Sequence, residues 1–132
     1  MPILVNAAEE EIEMTPPGST LADMSTVLPG FRAYWDSPEN LFREDDGSYW
    51  ACGVFAMAAE FVIENHRNLR DETWVGLAHQ VRLWYDQSND MRGCLGACFI
   101  ENLQFEACST AVRKYVKPEI LNHFHYEGKV DS

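Results

Sequence analysis

The sequence predicts an all-α fold, a single-domain antiparallel bundle of about five to six helices. Three observations predict it. Two segments carry apolar residues at helical offsets: Trp74, Leu77, Ala78, Val81, Trp84 and Tyr85 fall at 0, 3, 4, 7, 10 and 11, and Met91, Cys94, Leu95, Cys98, Phe99 and Leu103 at 0, 3, 4, 7, 8 and 12. A third stretch, from Tyr49 to about Asn65, is apolar at nearly every position until Glu60, as suits a helix covered by neighbours on several sides. Nowhere does a run alternate with period two for long enough to make a strand. The length of 132 residues matches one domain, which holds roughly 100–150 residues.

Taken in order, residues 1–18 combine an acidic cluster with Pro16-Pro17-Gly18 and read as an acidic, flexible leader, with the helical domain spanning 19–132. Ser19 or Thr20 can cap a short helix through Leu21, Met24 and Val27 that Pro29-Gly30 ends. Phe31 to Trp35 is aromatic enough to dock on a core. Ser37-Pro38-Glu39 then supplies a cap, a first-turn proline and a first-turn acid for a second short helix carrying Leu41 and Phe42. Asp45-Asp46-Gly47 is a turn leading to a capping Ser48 and the central helix. Asp71 is placed to cap the next helix, and Ser88-Asn89-Asp90 the one after. Gly93 and Gly96 weaken that helix by roughly 1 kcal/mol each, so close approach of a neighbour is their expected use. The tail offers a helix over about Glu106–Tyr115 and a last one opened by Pro118 and stopped by Gly128.

Ten basic residues against twenty-one acidic ones leave a net charge of −11, a field that repels phosphate backbones and anionic membranes. Residues 1–46 hold ten acids but only Arg32 and Arg43, so the negative potential is concentrated early in the chain. The first five residues lack a basic region and soon meet Glu9-Glu10-Glu11, and no apolar run approaches the roughly 20 residues of a membrane span. A cytoplasmic location follows as the expectation, with the four cysteines as buried free thiols.

Candidate chemistry is sparse. Cys94 and Cys98 with His123 and His125 could be metal ligands, but both cysteines lie on an apolar stripe rather than in a knuckle, so neither metal nor cofactor is expected. No G-x-S-x-G, C-x-x-C or H-E-x-x-H occurs, and Cys108, the thiol least buried by pattern, precedes Ser109 and Thr110, which read as turn or cap residues. Asp45-Asp46 or Glu101 could be offered for acid–base work, yet nothing supplies the rest of a site, and Glu101-Asn102 fits hydrogen bonding to a helix end or loop. His66 and His79 suit helix surfaces or ends. Trp74 and Trp84 belong to the core, while Tyr49 and Trp50 stand beside the acidic turn as possible anchors for a partner. If the 48–65 and 71–86 helices are antiparallel, Glu44, Asp45, Asp46, Asp86 and Asp90 gather at one end of the bundle with Tyr49 and Trp50. That pole is the expected partner-binding surface, and no catalytic residue is assigned.

Cys98-Phe99-Ile100-Glu101-Asn102-Leu103, followed by Lys117-Pro118-Glu119-Ile120-Leu121, resembles the "CFLENL"-like segment of small helical bacterial proteins that look like immunity proteins of polymorphic toxin systems, including contact-dependent growth inhibition. The resemblance covers roughly residues 88–122 and transfers no catalytic residue. It implies a cytoplasmic antidote, monomeric within a heterodimer, that binds a basic toxin domain, often a nuclease, and occludes its active site or substrate groove. The alternative is a small acidic adaptor or regulatory subunit of a bacterial assembly, for which a permanent apolar interface is expected.

Overall fold

A computed structural model describes residues 12–13, 19–104 and 106–128. Most of the leader, 1–11 and 14–18, lies outside the described residues. Its Ile12–Glu13 forms a short strand, β1, which pairs in parallel with β2 (Ser48–Tyr49), Ile12 opposite Ser48 and Glu13 opposite Tyr49. Everything else regular among the described residues is helical, as an all-α single domain requires.

Helix α1 (Thr20–Val27) buries Thr20, Leu21 and Met24, and Pro29-Gly30 turns the chain into α2 (Phe31–Trp35), which buries Phe31 and Trp35. The short helix expected after Pro38 does not form. Asn40 is buried; its side-chain amide donates to the Trp35 carbonyl at 2.8 Å and its Oδ1 accepts from the Phe42 amide at 2.9 Å, bonds that satisfy the backbone outside a helical ladder. The aromatic run is helical instead, because docking Phe31 and Trp35 on the core rewards that conformation locally.

Helix α3 (Ala51–Asn65) is the centre of the molecule and buries residues around its whole circumference, Val54, Phe55, Met57, Ala58, Phe61 and Val62 among them. It starts two residues later than expected, since Ser48 and Tyr49 are spent on β2 and Trp50 becomes the N-cap. A 3-10 turn, His66–Asn68, follows, and His66 Nδ1 lies 2.7 Å from the Ile63 carbonyl, the helix-end role expected of it. Helix α4 (Asp71–Gln87) buries Trp74, Leu77, Val81 and Trp84. Arg70, not Asp71, is its N-cap; Asp71 sits in the first turn, where its charge suits the dipole, and accepts from the Tyr115 hydroxyl at 2.8 Å. Phe55, near the start of α3, meets Trp84, near the end of α4, edge to face at 5.0 Å, so the two helices are antiparallel as loop length implies.

Ser88 caps α5 (Asn89–Cys94) by accepting from the Met91 amide at 3.0 Å. The run then widens into a π-helical segment, Leu95–Ile100, and tightens into a 3-10 turn, Glu101–Leu103. Its buried Met91, Leu95, Phe99 and Leu103 are each four residues apart, a spacing that drifts around an α-helix but stays on one side where the turn is wider. This segment packs chiefly against α3. Helices α6 (Glu106–Tyr115) and α7 (Pro118–His123) complete the bundle. The last helix stops before Gly128: His125 takes a positive φ of 54°, and Tyr126 is buried, its hydroxyl donating to the Leu103 carbonyl. No helix among the described residues is long and apolar enough to cross a membrane.

Candidate functional site: an apolar groove with acidic residues on its wall

The segment from Ser37 to Trp50 crosses the amino-terminal turns of α3. Arg43 bridges antiparallel to Tyr49, the Glu44 amide donates to the Ser48 carbonyl at 2.8 Å, and the Gly47 amide donates to the Glu44 carbonyl at 2.9 Å. Asp46 closes the tip by accepting from both the Ser48 amide (2.9 Å) and the Ser48 hydroxyl (2.6 Å), and these bonds hold its carboxyl below the usual carboxylate range. Ser48 is therefore occupied by Asp46 and not by the helix it was expected to cap.

This loop can lie close to α3 because Gly53 has no side chain. A Cβ there would stand 2.8 Å from Phe42 Cβ, inside any permissible contact. Between the loop and the α5 region opens a groove of about 580 Å³ lined by Leu41, Phe42, Glu44, Trp50 and Asp90 and floored by Cys52, Gly53, Ala56, Cys94 and Cys98. Leu41 is 90% exposed, Trp50 55% and Phe42 42%, so three large apolar side chains rim one opening. Such clustering, unlike a lone exposed leucine, makes this opening the candidate site.

Of the seven residues assigned to the partner surface by sequence, Glu44, Trp50 and Asp90 line the groove. Asp45 and Asp46 are exposed on the turn that also carries Glu44, with Asp46 committed to Ser48. Asp86 pairs with Arg82 at 2.9 Å, and Arg82 reaches Glu119 as well, which places that carboxylate in an ion network with α7 and outside the groove lining. Tyr49 is a correction: it is only 4% exposed, with its ring edge to face with Trp35 at 5.3 Å, and so it is a core residue and no surface anchor. The alternation of β2 explains the split, since consecutive residues of an extended segment point to opposite sides and Tyr49 faces inward while Trp50 faces out.

The cysteines also depart from expectation. Cys52 and Cys94 are joined by a disulfide that ties α3 to α5 with Cα atoms 4.8 Å apart, while Cys98 and Cys108 are free. The paired cysteines are 42 positions apart in sequence, and no spacing rule reveals a partner at that distance. Cys108, read as the least buried thiol, is fully buried inside α6, and burial pushes its pKa up to about 11. Ser109 beside it is buried too, within the helix rather than at a cap. Gly93 has open space where its Cβ would be, so it makes no close contact, whereas a Cβ on Gly96 would stand 2.6 Å from the Phe124 ring. Asn102 donates to the Cys98 carbonyl at 2.8 Å, within its own helical run.

Leu41 and Phe42, two of the three large apolar side chains of the rim, were missed as binding residues because the sequence shows them only as apolar positions of an expected short helix. Among the described residues no cluster of histidine, cysteine and carboxylate could hold a metal ion. Comparison of the chain with family models, curated proteins and solved structures returns no match.

Proposed function

We propose that this protein acts by binding, and that its groove receives an apolar anchor from a basic protein partner, the mode expected of an immunity protein neutralising a cognate toxin domain. The observation that carries the reading is the groove rim: Trp50, Leu41 and Phe42 exposed together, with Glu44 and Asp90 in the same lining. Aromatic side chains beside a desolvated pocket supply affinity, whereas carboxylates around it accelerate encounter and select a positively charged surface. The net charge of −11 adds long-range attraction for such a partner. In this reading the protein is a cytoplasmic monomer that forms a heterodimer, and the toxin's active site or substrate groove is what it covers. The resemblance of residues 88–122 to immunity proteins points the same way.

Co-expression with each basic domain encoded by a neighbouring reading frame tests the proposal. Co-purification of a one-to-one complex together with rescue of growth is the expected result, and Trp50→Ala should weaken both. Failure of every neighbouring basic domain to co-purify, with toxicity undiminished, would refute the reading.

A further inference from the structure

The groove floor holds three sulfur atoms. Cys52 comes from the first turn of α3, and Cys94 and Cys98 lie four residues apart on the facing helical run, with the π-helical segment beginning between them at Leu95. One of the three is surplus: Cys52 and Cys94 are bonded, and Cys98, a free and partly exposed thiol one turn from Cys94, lines the same open groove. This half-buried disulfide reaches an open groove that also holds a free thiol, and disulfides open to solvent are more labile than those sealed in a core. A π-helical turn is also an uncommon feature that recurs at functional sites.

We propose that Cys52, Cys94 and Cys98 form a thiol–disulfide exchange centre, in which the bond that ties α3 to the facing helical run moves between Cys94 and Cys98. The Cys98 thiol gives up its proton to solvent, and the thiolate attacks Sγ of Cys52. The Cys52–Cys94 bond breaks as the Cys52–Cys98 bond forms, and Cys94 departs as a thiolate that takes up a proton. One disulfide and one thiol are present before and after, so neither oxidant nor reductant is consumed. Both linkages join α3 to the facing helical run, one turn apart on that run, and the exchange therefore shifts one element of the groove floor relative to the other. Burial, and secondarily Glu101, hold the Cys98 thiol above its ordinary pKa, so exchange runs through a minor thiolate population.

The test needs no binding partner, and so it fails or succeeds independently of the proposed function. The purified full chain, kept without reductant, is quenched in acid, denatured and alkylated with N-ethylmaleimide. Chymotrypsin, which cuts after Leu95, separates Cys94 from Cys98 for mass spectrometry. Alkylation divided between Cys94 and Cys98, in a ratio within about tenfold of equality, is expected, because a tenfold ratio needs only a ~30 mV difference between the two linkages. In Cys98→Ser the label should vanish from Cys94. A wild-type protein labelled at Cys98 and Cys108 alone would overturn the proposal. So would a Cys94→Ser variant, helical by circular dichroism, whose Cys52 stays as alkylatable in a glutathione redox buffer as it is in the Cys94→Ser/Cys98→Ser double variant.

Discussion

Two segments of irregular chain are laid over this helical core in the same way and end differently. Each seats a phenylalanine on a helical glycine: Phe42 over Gly53 and Phe124 over Gly96. At the carboxy-terminal site the cover is sealed. Tyr126 is buried and donates to the Leu103 carbonyl, while Arg113 donates from Nε to the Gly128 carbonyl and from a guanidinium NH₂ to the Tyr126 carbonyl. At the 37–50 loop Asp46 and Ser48 bond each other, Asn40 and Arg43 reach back to Trp35 and Asp36 just before the loop, and the apolar side chains are left facing solvent around the groove. The difference lies in where the hydrogen bonds point. At the carboxy terminus they join the cover to Leu103 and Arg113 on other helical segments, whereas in the 37–50 loop they stay within the turn or reach back to Trp35 and Asp36.

Replacing one aromatic from each segment gives the largest expected contrast. Tyr126→Ala should destabilise the fold by about 3–5 kcal/mol, the cost of emptying a buried aromatic site, whereas Phe42→Ala should cost less than about 1 kcal/mol. Urea unfolding measures both, and equal losses would erase the distinction. At the groove, Trp50→Ala should cost about 2 kcal/mol of affinity for the basic partner, roughly thirtyfold in Kd, and leave stability within about 0.5 kcal/mol. Titration calorimetry beside a thermal melt separates the two quantities.

A finer probe is the pair of glycines. Gly96→Ala forces Cβ into the Phe124 ring beneath a sealed cover and should destabilise by about 1–2 kcal/mol, as overpacking does. Gly53→Ala drives its Cβ against Phe42 Cβ, beside the loop backbone, so the loop must move, and the roughly 1 kcal/mol gained in helix propensity should offset only part of that overpacking cost. The smallest effect is electrostatic. The Asp46 pKa is depressed in the folded protein, so the stabilisation is present above the unfolded carboxylate value of about 4 and is lost as pH falls through the lower folded value. Asp46→Asn should flatten the pH dependence of stability slightly in that window, below pH 4, and leave it unchanged at pH 7.

Much of the fold was legible in local pattern. Trp74, Leu77, Val81 and Trp84 announce α4, the unbroken apolar stretch announces α3 as the central helix, and Ser88 announces α5, because helical periodicity and capping depend on residues a turn apart. Local pattern also misled where side chains had tertiary work. Ser37-Pro38-Glu39 carries every signal of a helix start, yet Asn40 bonds back to Trp35 and keeps the chain irregular. For the candidate site, charge and an exposed tryptophan could be read from Glu44, Trp50 and Asp90, but not the groove that joins them.

Residue order by itself determined the longer helices, the acidic field and the absence of familiar catalytic motifs, since each of these rests on neighbours in sequence or on composition alone. Only the tertiary structure decided that Tyr49 turns inward while Trp50 turns out, that Cys52 meets Cys94 across 42 positions, and that Phe42 settles on Gly53. Those outcomes depend on which distant surfaces come together, a consequence of packing the whole chain that no window of a few turns contains.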